Sequence, residues 1–328
     1  MGEVYNFPTS RPPNAAPETC ATAKGEVDLL IGAQAFPRAV LLLARSFIAG
    51  YETYPRGAAL FATQQRWLLC HAALACHFRV ANADGPGLTR RTLAHVALQH
   101  GIASRNTAHA FFDEVLKYDV IRSAGGAADG HAAQAVPSPA ALSMLIRWYA
   151  VHFEALDLVD NGCRAARFLA QPESMLACMQ PRVADVLLSS PDVRAPRPFY
   201  AIFTWADAGG LLMDRLVAGI SPEELAEPNR YQTDVNAISH LARSSGLSRA
   251  HTSRKLSAAE SIGGMGWSGR RGHSPIWISR GFYEEYAGAQ ACKLLILNNA
   301  FEEATAAIML ASEPNLKPQA RSLVSTTY

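Results

Sequence analysis

Apolar residues recur along this chain mostly at the three- and four-residue spacing of an α-helix, and clear strand alternation is scarce, so the pattern predicts a mainly α protein. Helices are expected over 26–50, 57–79, 88–100, 104–118, 139–159, 173–190, 199–218, 233–245, 248–261 and 280–311. Breakers mark the joints: Tyr54-Pro55-Arg56-Gly57, Asp84-Gly85-Pro86-Gly87, Gly125-Gly126, Pro191, Pro196 with Pro198, and Gly263-Gly264. Residues 1–25 carry Pro8, Pro12, Pro13 and Pro17 among polar residues and read as a disordered arm. Residues 312–328 read as a tail.

The pattern repeats. Phe36-Pro37-Arg38-Ala39-Val40-Leu41-Leu42-Leu43 lies 144 residues before Gln180-Pro181-Arg182-Val183-Ala184-Asp185-Val186-Leu187, and both runs continue to a serine, Ser46 and Ser190. Gly101-Ile102-Ala103-Ser104-Arg105 recurs as Gly246-Leu247-Ser248-Arg249, one residue shorter, and Phe112 then meets Leu256 at the same spacing. A glycine pair follows each, and then a helix with an aromatic cluster: Trp148, Tyr149 and Phe153 in one, Phe282, Tyr283 and Tyr286 in the other. A period this long indicates two copies of one domain rather than a solenoid. The expected units are 26–165 and 166–311.

The segment with the clearest chemistry runs from Val235 to Ile262. Ile238, Leu241 and Ala242 form an apolar stripe, and the small Ala242 lets a second helix cross closely. Gly246 sits where a tight interhelical turn needs positive φ, Leu247 can plug the angle, and Ser248 suits an N-cap. The helix that follows opens on Arg249, His251, Thr252, Arg254 and Lys255, donors suited to base edges and phosphates in a major groove. From His240 to Arg280 there are seven Lys or Arg and one acid, Glu260. The formal net charge of the chain is only +2, so this local excess is the basic patch a DNA binder needs. Two short strands, around Trp267 and Ile276–Ile278, are expected to flank a loop tipped by Arg270 and Arg271, which reads as a wing reaching phosphates or a minor groove.

The first copy has Arg90 and Arg91 opening a helix, His100-Gly101 as the turn, and Ser104, Arg105, Asn106 and His109 opening the second helix. Its wing, Ile121 to Val136, has one basic residue, Arg122, so it is expected to read DNA more weakly.

The order helix, helix, helix-turn-helix, wing, long terminal helix resembles the MarR-type winged-helix regulators over about residues 26–311. The resemblance implies tandem winged helix-turn-helix domains with short β-wings and long pairing helices. It implies a double-stranded DNA partner, two recognition helices in adjacent major grooves, and one chain doing the work of a homodimer. It also implies a small aromatic effector, for which Trp148, His152, Phe203 and Trp205 are the candidate lining residues.

Other chemistry is thinner. The six cysteines form no CxxC pair and read as free thiols of a reducing cytosol. Cys70-His71 and Cys76-His77 lack a zinc spacing and are expected to be core. Cys163, beside Arg164 and Arg167, is the thiol with two arginines close in sequence. No phosphate loop, nucleophile elbow or His-Glu metal helix appears, so neither an enzyme nor a cofactor is expected. Apolar runs such as Ala39 to Leu43 are too short to span a membrane, which points to the cytoplasm and the nucleoid. The other functional class open at this point is a winged-helix protein-interaction module in a replication or signalling complex.

Overall fold

The apolar periodicity becomes helix over most of the chain. In the computed structural model, 73% is helical with few short strands; the residues described are 17–55, 60–61, 63–81, 85–124, 134–195, 197–204, 209–223 and 229–312. The expectation of a mainly α protein therefore holds.

Helix α1 (Pro17–Gly32) is followed by α2 (Phe36–Thr53), α3 (Gln64–Ala81), α4 (Arg90–Gln99) and α5 (Arg105–Lys117). Strands β1 (Ile121–Ser123) and β2 (Ala135–Pro137) lead into α6 (Pro139–Asp160). Next come α7 (Arg164–Ala170), α8 (Pro172–Ser189), α9 (Pro191–Arg194), α10 (Pro198–Thr204) and α11 (Gly209–Ala218). Strand β3 (Arg230–Gln232) precedes α12 (Ile238–Ser244), α13 (Arg249–Ser261), β4 (Met265–Trp267), β5 (Ile276–Ser279) and the long α14 (Arg280–Ser312).

Several boundaries differ from expectation, each for a local reason. Helix α1 starts at Pro17, inside the stretch read as an arm, because it packs along α14; residues 1–16 and 313–328 lie outside the described residues. The helix expected over 199–218 is two helices. The one expected over 233–245 begins only at Ile238, because Arg230–Gln232 pairs with β5 and Thr233 bonds on to Ile276. The boundary expected at 165/166 falls within α7, where Arg164 is tied to the end of α6 through Asp157 (3.2 Å) and Asp160 (2.7 Å). Helix α14 is long and apolar enough to cross a membrane by length and composition. Here its Phe282, Tyr286, Leu294, Leu297 and Phe301 are buried in the core.

Both halves build the same small sheet. β3, β5 and β4 form a three-stranded antiparallel sheet in that spatial order. In the first half β1 pairs with β2, and Leu88 bridges to Ala135 on the far side of β2, giving the same order with a single-residue first strand.

The packing is reciprocal. Helix α2 packs on α6 of its own half and on α11 of the other, while α8 packs on α14 of its own half and on α3 of the other. One buried cluster runs through both halves, from Phe36 and Leu69 to Leu256 and Phe301.

Candidate nucleic-acid interface

The two helix pairs are built alike. Gly101 (φ +60°) and Gly246 (φ +65°) turn each chain in the left-handed region, where a side chain is strained. The amides of Ile102 and Leu247 then close on the carbonyls of Ala97 (2.9 Å) and Ala242 (3.0 Å). Ser104 Oγ accepts from the Thr107 amide and Ser248 Oγ from the His251 amide, each at 3.1 Å, capping α5 and α13 as the sequence suggests.

The expected DNA-facing residues divide by helix phase. On α13, Ser248, Arg249 and Arg254 are exposed, and neither arginine has an acidic partner among the described residues. His251 is half-buried, with Nε2 enclosed and unpartnered among the described residues. Thr252 and Lys255 correct the sequence reading: both are buried. They continue the inward stripe of Leu256 and Ala259, so the helix turns its back to solvent one turn earlier than its polarity suggests. Thr252 Oγ1 donates to the Ser248 carbonyl (3.1 Å), and Lys255 Nζ donates to the Ile202 carbonyl (2.6 Å).

The hairpin loop stands beside α13. Arg270 is exposed. Arg271 folds back onto the helix, bonding Ser257 Oγ (2.6 Å) and Glu260 (3.2 Å), and this fixes the loop against α13. A polar cleft of about 420 Å3 opens between the starts of α12 and α13 and the loop, lined by Ser239, Arg249, Arg271 and His273. Its size and donors suit a backbone phosphate. Arg243, also exposed, adds a further cation without an acidic partner among the described residues.

The first half is electrostatically quieter. Arg90 pairs with Asp113 (2.7 Å), Arg66 with Glu114 (2.7 Å) and Arg122 with Asp119 (2.6 Å). Only Arg91 and Arg105, of the basic residues anticipated there, are exposed without such a partner among the described residues. Ser104 and Asn106 are exposed and His109 half-buried. Residues 125–133 of the expected wing lie outside the described residues.

Comparison with protein-family models, with curated proteins and with solved structures gives no match.

The anticipated effector residues scatter. Trp148 lines a half-open cavity of about 330 Å3 between α2, α3, α5 and α6, and the His152 ring lies tilted behind it (ring centroids 4.1 Å apart). Phe203 is elsewhere, fully buried against Phe282 in the second half, because α10 packs on α13 and α14 there. Trp205 lies outside the described residues. Phe47, Phe61, Trp67 and Phe111, which sequence reasoning did not select, complete the aromatic wall. Each lies on a different stretch of chain, so no single periodicity marks them.

Behind that wall sits a buried polar set. Tyr149 OH donates to Gln180 Oε1 (2.7 Å), which orients the amide so that Nε2 donates to His71 Nδ1 (3.1 Å). His71 therefore carries its proton on Nε2. Burial, reinforced by the Lys293 ammonium, pushes its pKa down to about 3. His152 is driven the same way by the same causes; its Nδ1 donates to the Trp148 carbonyl (2.6 Å). Burial holds the Asp214 carboxyl above its ordinary range, while Tyr286 OH donates to it at 2.7 Å. Among the described residues no three His, Cys, Asp or Glu side chains gather so as to hold a metal ion.

Proposed function

We propose that this chain is a double-stranded DNA-binding transcription regulator made of two winged helix-turn-helix units, similar in plan to a MarR-type dimer fused into one chain. The observation that carries the reading is the set of exposed arginines on α12, α13 and the adjoining hairpin: Arg243, Arg249, Arg254 and Arg270, none with an acidic partner among the described residues. Cations left unpaired at a helix-turn-helix are donors held ready for phosphates and guanine edges. The shared element order of the halves supports the tandem reading: a helix, a first strand or bridge, two helices across a glycine turn, a hairpin and a long helix.

In this mechanism α13 enters a major groove by its first turn. The loop tipped by Arg270 meets the flanking backbone, and α5 enters the next groove with fewer ionic contacts. A small aromatic effector would occupy the first-half cavity, whose wall includes Phe111 and Val115 from α5. The chain works in the cytoplasm, on the nucleoid, as a monomer that mimics a dimer.

The test is fluorescence anisotropy on fragments selected from genomic DNA. Arg249→Ala with Arg254→Ala should weaken binding by about 100-fold, roughly tenfold for each lost contact. It should also lower the log–log salt slope by about 2. Unchanged affinity in a folded variant overturns the proposal. A salt-independent complex with a protein would favour an interaction module instead, which the ion-paired surface of the first unit suits.

A further inference from the structure

The two halves treat one place in the fold differently. Ile121 faces Pro137 across the first hairpin as Met265 faces Ile278 across the second, which aligns the halves residue by residue. On that alignment Lys255, Gly264, Phe282 and Glu285 hold the places of Phe111, Val120, Ala141 and Met144. Those four first-half residues all line the cavity. Their second-half counterparts all touch α10 instead.

The contacts are specific. Glu285 Oε2 accepts from the amides of Phe199 (2.8 Å) and Tyr200 (3.1 Å) at the start of α10. Lys255 Nζ donates to the Ile202 carbonyl at its end. The Phe199 and Phe203 rings lie 6.0 Å and 5.5 Å from that of Phe282, and a Cβ on Gly264 would collide with Phe199.

We propose that α10 is an intrachain occupant of the second half's copy of this cavity, so that the chain takes up one apolar aromatic molecule, in its first half alone. Lys255 and Glu285 are the positioning residues that keep α10 seated. The proposal rests on reading the chain as two copies of one unit.

The physical case is that α10 has no means of standing alone. Seven residues are too few for a stable isolated helix, and its ends expose amides and carbonyls with no helical partner. A carboxylate from α14 satisfies the first amides, and an ammonium from α13 satisfies a terminal carbonyl. Each charge also has the sign that complements its end of the helix. Phe199 and Phe203, one turn apart, supply the aromatic bulk that a ligand would bring. In the matching first-half sequence, Tyr54-Pro55-Arg56-Gly57-Ala58-Ala59-Leu60, the places of Phe199 and Phe203 are held by Pro55 and Ala59. A guest in the first half would press on the back of α5, through Phe111 and Val115. The back of α13 is already fixed by the Lys255 bond.

The experiment uses the full chain and N-phenyl-1-naphthylamine, an uncharged fluorescent aromatic. One molecule per chain should bind. Binding should slow hydrogen exchange in α2, α3, α5 and α6 and leave α11 and α13 unchanged. Met144→Trp, which fills the first cavity, should weaken it about tenfold or more. Phe199→Ala with Phe203→Ala should expose a second site and raise the stoichiometry to two. If circular dichroism shows that double variant unfolded, Lys255→Met is the measurement: it should admit a second, weaker molecule, and Lys255→Arg should restore a single site. No binding, two sites in the natural chain, protection over α11 and α13, or a single site in every folded release variant would overturn the proposal. All readouts are made without DNA, so loss of DNA binding would sink only the regulator reading.

Discussion

His71 and His152 are kept neutral by burial beside Lys293, and that has a consequence for acid stability. A base whose folded pKa lies below its unfolded value of 6.5 binds more protons when unfolded, so each histidine withdraws stability as pH falls below about 6.5. Asp214 works in the opposite sense, because its raised carboxyl pKa takes up a proton in the folded chain above 3.8. Between about pH 4.5 and 6, the His71 and His152 protons favour the unfolded state and the Asp214 proton the folded, while His77 and His100, also lowered by burial, add to the unfolded side. The net loss is at least about 1.4 kcal/mol per pH unit. Urea denaturation over this range should show a loss of that sign; His152→Phe should reduce the slope by about 1.4 kcal/mol per pH unit, and Asp214→Asn should raise it by as much. A slope that ignores both substitutions would place the acid sensitivity elsewhere. Residue-scale logic also separates neighbours on α13. Arg254→Ala should leave stability within about 0.5 kcal/mol, as an exposed change does. Lys255→Ala removes the Ile202 partner and buried methylenes, and should cost about 2–4 kcal/mol. Paired denaturation curves distinguish the two at once.

At the scale of elements, the turns that set each helix pair depend on glycine to different degrees. Both glycines have positive φ, so alanine at either should cost about 1 kcal/mol of backbone strain. A Cβ on Gly101 meets only the Arg194 guanidinium at 3.6 Å, whereas one on Gly246 would collide with the Tyr51 hydroxyl. Gly246→Ala should therefore lower the unfolding midpoint clearly more than Gly101→Ala, and equal shifts would mean that Tyr51 moves aside freely. These turns and the serine caps were legible in the sequence because they are decided within a few residues. Elements decided by distant partners were not. β3 exists because β5 lies beside it in space, and nothing local in Arg230–Gln232 announces that. The inward turn of Thr252 and Lys255 is hidden for the same reason. The phase of α13 is set by the helices packed behind it, and Lys255 has a carbonyl waiting there.

For the whole molecule, the spacing of 144 was legible because it recurs at separate places, but the exchange between halves was not. Sequence spacing cannot say that α2 packs across on α11, nor that α8 packs across on α3. That exchange decides how the chain folds. Helix α8 buries Met175, Leu176, Met179, Val183, Leu187 and Leu188, partly against the first half. Baring even half of such a face costs on the order of 1.5–3 kcal/mol per side chain, which consumes much of a typical net stability of about 5–15 kcal/mol. Each half also loses the helix that the other contributes, so the losses add rather than offset. Chains cut in the Asn161–Cys163 connection, giving 17–162 and 163–312, should each show little protected amide exchange alone. Mixed in equal amounts, they should regain the helical signal and unfold in one concentration-dependent transition, because the exchanged helices supply an interface of core composition. Two separate transitions in the intact chain, or a stably folded fragment 163–312 by itself, would mean that the halves are independent domains and that the crossing of α2 and α8 adds little to stability.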